Sequence, residues 1–228
     1  MDKCSYCAEF VGDVDNSYYL KNVMPDIGMS RLRLESQYFY IFPSVGSLIP
    51  GHLLIVPKRH YTALSMATKN EIAELELVVN ELQEIYKSVL GSTSIFYFEH
   101  GILDVDRSLI NCVDHAHLHM LPTVIDASGL KFNDAKFLKI PELPSIETIT
   151  PDYIFFGDAN KSYISFDRDK HAQYLRKAVH EQLKLQNHWN WRSDSQVDNI
   201  KSWIDCLNNF ILVQSGEKEF DVIRFCNK

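Results

Sequence analysis

No run of apolar residues in this chain approaches the roughly 20 that cross a bilayer, so no membrane partner is expected. The opening MDKCSYCAEF lacks the charged-then-apolar layout of a secretion signal, and the expected setting is cytoplasmic. Positive charge is in deficit, with 23 basic against 30 acidic residues and a net charge of -7. Broad attraction to a nucleic acid backbone is thereby excluded, although a local basic pocket can still hold one phosphorylated ligand. Five cysteines, an odd number, argue against a disulfide framework and leave thiols or metal ligands as the expected uses. Fixed-period repeats and low-complexity tracts are also missing.

What is there suits one large or two modest globular domains: 228 residues, 46% hydrophobic and 23% charged. SRLRLES and QYFYIFP alternate as strands and predict an antiparallel hairpin, and HLLIVP reads as a central strand ended by Pro57. A long helix follows, opened by a Thr68/Glu71 capping box, carrying apolar residues from Ile72 to Val89 at helical spacing, and stopped by Gly91. SIFYFEH is a further strand, and a polar loop from Asp104 to Asn111 leads to the next. The order of elements predicts an α+β fold with an antiparallel sheet. The stretch from Pro122 to Pro151 is irregular, so a boundary near residue 125 is expected, with one domain over 1–125 and a small α/β extension over 126–228. That extension should hold strands at DYIFFGD and SYISFD and helices near 171–185 and 196–211.

Residues 114–121, DHAHLHML, place three histidines at every second position. On a strand they share one face at roughly 6.6 Å intervals, with Ala116, Leu118 and Met120 on the other. On a helix they would fan out, and Pro122 would cut the helix short. Two chemistries suit such a row. A neutral imidazole can attack phosphorus while a second one protonates the leaving group. The spacing also suits metal ligation by all three rings, as in a metal-dependent hydrolase. Three imidazoles with a purely structural role would need partners for six ring nitrogens. Cys4 and Cys7, in a CxxC, can be a redox pair, two ligands of a zinc site or plain thiols.

HAHLHML resembles the His-x-His-x-His signature of the histidine-triad (HIT) family, and PGHLLIVPKRHY resembles that family's preceding strand, in the right order and separation. The resemblance covers residues 1 to 122. It implies a HIT-like sheet and a nucleotide hydrolase or nucleotidyltransferase working on a phosphoanhydride, phosphoramidate or nucleotide-sugar bond. His117 would be the nucleophile that forms a nucleotidyl-histidine. His119 would support the phosphate and leaving group, and His52 would orient the site from behind. The resemblance further implies a structural zinc held by Cys4, Cys7, His60 and His115, and a possible homodimer whose sheet continues across the interface. A nucleotide-binding module with little turnover, acting through a protein partner, is the alternative from another class.

Several positions depart from the family's usual residues. Ser44 stands where an acidic or amide residue commonly holds ribose hydroxyls, Glu99 where Asn is common, and Cys112 where Ser is common. Glu99 is expected to meet a sugar hydroxyl or an amine, or to be a solvated strand end. Asn111, Cys112 and Val113 can offer backbone amides to phosphate oxygens. In the extension, Arg168, Lys170, Arg176 and Arg192 are expected as a solvated face, and Trp189 and Trp191 as core aromatics, with phosphate contact and base stacking as their functional alternatives.

Overall fold

Twenty-two residues, Lys69–Leu90, form the longest described helix, and its ends are set by the sequence in the expected way. Thr68 Oγ1 accepts from the Glu71 N–H (3.3 Å), Glu71 Oε2 accepts from the Thr68 N–H (2.6 Å), and Gly91 takes the left-handed conformation at the stop. Its buried stripe of Ile72, Leu75, Val78, Val79, Leu82, Ile85 and Tyr86 packs on one face of a sheet. The Tyr86 hydroxyl donates to the Gly51 and Met120 carbonyls, which ties the helix to the strands that carry the histidines.

The computed structural model describes residues 4–32, 34–102, 115–146, 152–167, 173–214 and 222–225. The strands are β1 (Leu34–Glu35), β2 (Phe39–Pro43), β3 (Leu53–Pro57), β4 (Phe96–Ile102) and β5 (Leu118–Leu121). Beyond them lie β6 (Lys136–Phe137), β7 (Asp152–Asp158), β8 (Ser162–Ser165) and β9 (Arg224–Phe225). The helices are α1 (Ser5–Val11), α2 (Tyr18–Asn22), α3 (Met24–Ile27), α4 (the Lys69 helix), α5 (Tyr174–Gln182) and α6 (Val197–Gln214). No described helix is long and apolar enough to cross a membrane. The fold is α+β with an antiparallel sheet, as the order of elements predicts.

All nine described strands join one sheet, in the order β6-β8-β7-β4-β5-β3-β2-β1-β9. The expected boundary near residue 125 therefore falls inside a continuous sheet. β7 pairs with β4 from Phe96↔Asp158 to Ile102↔Asp152, and β9 pairs with β1 at the other end. Gly101 sits opposite Tyr153 in that register, and any side chain there would overlap the tyrosine ring.

Each strand presents alternate residues to two separate cores. Phe39, Ile41, Leu53, Ile55, Leu118 and Met120 face α4. Phe96, Phe98, Leu121, Ile154 and Phe156 face α5 on the opposite side. On that second side, next to α1, lie Phe42, Leu54 and Val56. The histidines of the candidate site lie on this second face.

Several elements are shorter than the sequence predicts, among them α5 and β8, and two bear on the sheet that carries the histidines. The first hairpin strand shrinks from SRLRLES to β1, two residues long. The histidine strand begins only at Leu118, because Ala116 N–H turns aside to the Tyr61 carbonyl (2.6 Å) instead of continuing the ladder with β3. The backbone stays extended enough that Ala116 and Leu118 still enter the α4 core and the histidines still face away from it.

Candidate active site and metal centre

His52, immediately before β3, and His119, in β5, lie side by side because β3 and β5 are antiparallel neighbours paired Leu53↔Met120 and Leu54↔His119. The protons on their rings follow from their partners. Leu48 N–H donates to His52 Nδ1 (3.1 Å), so a neutral His52 carries its proton on Nε2. His52 Nε2 lies 2.9 Å from His119 Nδ1 and donates to it, which leaves the His119 proton on Nε2. His119 also stacks on Phe98, with ring centroids 4.4 Å apart.

His117 is the neighbouring half-buried ring, its centroid 4.9 Å from that of His119. Its Nδ1 donates to the His115 carbonyl (2.7 Å), since a carbonyl can only accept. The lone pair is thereby held on Nε2. Burial lowers the pKa of His117 to about 4, assisted by the Arg176 and His100 charges and opposed by the His115 carbonyl. Burial also lowers His52, with Arg176 and His117 adding to it, and His119, with His117, His52 and Arg176 adding to it. These three rings are neutral imidazoles near pH 7, the form a nucleophile requires.

His117 and His119 line a cleft of about 810 Å³, counting its open mouth. Tyr6 and Tyr18 bound it from the N-terminal segment, and Arg176 and Trp191 from the far side of the chain. Arg31 also reaches it, but is held by Glu9 through two 2.8 Å contacts and lies between the Tyr19 and Phe42 rings. It is the buried rivet between α1 and β2.

A second cluster adjoins the first. The i, i+3 spacing of Cys4 and Cys7 across the start of α1 turns both thiols to one side, and His60 and His115 meet them there. Cys4 Sγ lies 3.4 Å from His115 Nδ1, and Cys7 Sγ lies 3.4 Å from His60 Nδ1 and 3.6 Å from His115 Nδ1. The two Nδ1 atoms are 3.3 Å apart. For a tetrahedral ion with bonds of about 2.3 Å to sulfur and 2.05 Å to nitrogen, geometry requires about 3.5 Å between S and N and about 3.3 Å between N and N. The four residues therefore fit a tetrahedral metal ion. His115 donates Nε2–H to the Pro57 carbonyl (2.8 Å), which turns its Nδ1 lone pair toward the cluster. Burial and the adjacent Cys4 push the Cys7 thiol up to about 12, so Cys7 resists ionisation unless a cation enters.

The sequence-predicted residues thus divide into groups. Cys4, Cys7, His60 and His115 come together as a cluster able to hold a metal ion, and His52, His117 and His119 as the row beside the cleft. Ser44 lines the cleft, with its hydroxyl donating to the Val45 carbonyl (3.1 Å). Asn111, Cys112, Val113, Arg168 and Lys170 lie outside the described residues.

Glu99 does not belong to the site, and neither expectation for it holds. Strand alternation that sends Phe98 and His100 to the cleft sends Glu99 through the sheet, where it is fully buried. There its carboxylate accepts from the Leu64 N–H and the Tyr153 hydroxyl, both at 2.7 Å, and burial pushes its pKa up to about 8.

Arg176 is the residue the motifs missed. Expected on a solvated face, it is 3% exposed and reaches the histidine cleft from α5. Its signal was a cation beside Leu175, Ala178 and Val179, within the apolar stripe of a short helix. Trp191 also lines the cleft, meeting Tyr18 edge-on at 5.1 Å with Arg192 over one face, whereas Trp189 is half-buried and packs against the α5 core.

Comparison with known proteins agrees with these motifs. The family model described as "HIT domain" matches residues 29–124. An asymmetrical bis(5'-nucleosyl)-tetraphosphatase of Schizosaccharomyces pombe is 29% identical over 100 residues, 41% of this chain and 52% of that protein. An adenosine 5'-monophosphoramidase of Candida albicans is 26% identical over 97 residues, 42% of this chain and 64% of that protein. The chain thus spans about half to under two thirds of the length of these curated relatives. Among solved structures, a HIT family protein of Bacillus anthracis aligns at TM-score 0.40 and 17% identity over 55% of this chain and 76% of its own. One from Bacillus subtilis aligns at 0.38 and 18%, over 53% of this chain and 73% of its own. Over residues 29–124, this chain carries a HIT domain.

Proposed function

We propose that the protein is a nucleotide hydrolase that cleaves a phosphoanhydride or phosphoramidate bond through a covalent nucleotidyl-histidine. His117 Nε2 attacks the phosphorus, and the bond to the leaving group breaks as His119 Nε2–H gives that group its proton. Water then attacks the phosphorus and gives a proton back to His119 Nε2, the P–N bond breaks, and the nucleoside monophosphate leaves with His117 and His119 both restored. The observation that carries this reading is the pair of tautomers: Nδ1–H of His117 is committed to the His115 carbonyl, and Nδ1 of His119 is committed to His52. A lone pair and a proton are left on adjacent rings at one cleft. The names of the two curated relatives, a tetraphosphatase and a phosphoramidase, support hydrolysis over transfer to another acceptor.

Zinc is the ion the four-residue cluster suits best, since two thiolates and two imidazoles in a tetrahedron are its preferred ligands. Four protein ligands leave no open position, so its role would be structural: it would hold α1 against the histidine row. A cytoplasmic setting, where thiols stay reduced, fits that use of Cys4 and Cys7. A homodimer whose sheet runs on across the interface would extend it from one of its described edges, β6 or β9.

The test is release of AMP from diadenosine tetraphosphate and from adenosine phosphoramidate, measured for the wild-type protein and for His117→Ala. Loss of about a thousandfold or more in turnover is expected, with an adenylylated His117 peptide recovered after rapid acid quench of the wild type. Equal rates for the two proteins would end the proposal.

A further inference from the structure

Two tryptophans two residues apart take different surroundings. Trp189 is half-buried against the α5 core. A tight turn follows it, in which Asn190 Oδ1 accepts from the Arg192 N–H (3.1 Å) and the Asn190 carbonyl accepts from the Ser193 N–H (3.0 Å). The turn carries Trp191 away from that core and into the lining of the cleft. Its position there is fixed by main chain. Gly46 has φ +66°, a Cβ on it would lie 2.5 Å from Trp191 Cα, and its N–H donates to the Ser195 carbonyl (2.8 Å). The loop that carries Trp191 is thereby pressed, backbone on backbone, against a glycine of the HIT domain.

Contacts along the wall give the cleft an order. His117 meets the Tyr6 ring edge-on with centroids 5.7 Å apart. Tyr18 comes next, because its N–H donates to Oγ of Ser5, the neighbour of Tyr6 (2.8 Å). Tyr18 then meets Trp191 at 5.1 Å, with the two ring planes 87° apart. All five of these residues line the same cleft. Aromatic surface therefore begins beside His117 and ends in a right-angled corner. A planar heterocycle entering that corner can lie flat on one ring while its rim meets the other, in the offset-stacked and edge-to-face contacts that aromatic groups prefer. Arg192 packs over one face of Trp191 (4.9 Å) and steadies the indole.

We infer that Tyr18 and Trp191 form a stacking subsite that selects purine nucleotides: the base seats in their corner while its phosphoryl group lies at His117. Neither residue belongs to the matched segment 29–124, so base selection in this chain comes from outside the HIT domain. The place of the phosphoryl group rests on the hydrolase reading, whereas the base contact is measurable without turnover. A purine gains more than a pyrimidine because its two fused rings present more surface, and dispersion grows with the number of atoms in contact.

The experiment titrates the full-length protein calorimetrically with AMP, UMP and ribose 5-phosphate, which share the phosphate and sugar and differ only at the base. Affinity is expected to fall in that order, with about 10-fold or more between AMP and ribose 5-phosphate, within the range of a base stacked on an aromatic side chain. Trp191→Leu should remove most of that advantage, and Trp191→Phe should keep part of it. The ratio is used because general damage to the cleft weakens all three ligands alike. A second measurement needs no variant: the indole resonances of Trp191 in the wild type should shift in the ring current of a stacked adenine on addition of AMP and stay in place with ribose 5-phosphate. The inference is overturned if UMP or ribose 5-phosphate binds as tightly as AMP, if Trp191→Leu keeps the advantage of AMP, or if those resonances ignore AMP. Release of AMP that depends on His117 alongside any of these results would leave the hydrolase reading standing and remove only the stacking subsite. The expected order of affinities in a protein without turnover would do the reverse.

Discussion

His52 Nε2 donates to His119 Nδ1 across 2.9 Å, and both rings are buried. With Leu48 N–H occupying the other nitrogen of His52, one backbone amide decides which nitrogen of His119 carries its proton. Loss of His52 would free His119 to adopt the tautomer that withholds that proton from a leaving group. His119→Ala is expected to lower kcat about 100-fold or more, and His52→Ala to fall within the same range. The two changes should not multiply: the double variant should be no slower than the worse single one. Losses that multiply in kcat measurements would show that the rings act separately.

The candidate metal cluster is joined to the proposed nucleophile, His117, through His115. His115 offers its ring to the cluster and its carbonyl to His117 Nδ1. Elemental analysis should find one zinc per chain, and Cys7→Ser should lower both the metal content and the melting temperature, the latter by about 5 °C or more. Hydrolysis should decline with them, although no metal touches the phosphate in this arrangement. Protein that purifies without metal and melts unchanged in the presence of chelator would rule the site out.

Glu99 gives the fold a pH dependence opposite in sign to that of most carboxylates. Its folded pKa, about 8, stands above the ordinary 4.5, so between those values the folded chain holds a proton that the unfolded chain has lost. Stability from this group is therefore full below about pH 4.5 and declines as pH rises toward 8, by at most about 1.4 kcal/mol per pH unit. Glu99→Gln keeps an acceptor for Leu64 N–H and cannot ionise. Its melting temperature should gain on the wild type steadily from pH 5 to pH 8. A constant difference across that range would refute the assignment.

Much of the site was legible because it is written in local spacing. The Thr68/Glu71 box, the Gly91 stop and the every-second-residue histidines each act within a few positions, where helix and strand periods are reliable guides. The Cys4, Cys7, His60, His115 set needed the family resemblance, since the first pair and the two histidines are far apart in the chain. Glu99 was misread because the side of β4 it faces depends on the register with β5 and β7, which one strand's sequence does not reveal. Arg176 was misread for a related reason. A cation on a short helix is usually solvated, and only the docking of α5 against segment 44–48 turns it inward.

The pairing of β9 with β1 has a consequence for synthesis. Leu34 sits opposite Phe225, and Glu81 accepts from the Val222 and Ile223 amides, so this edge of the sheet is closed by residues made long after β1. While a ribosome is still making the C-terminal half, β1 has an open margin, and β4 has another until β7 emerges. Contacts of such sequence separation form slowly, and unpaired margins of this kind invite association between nascent chains.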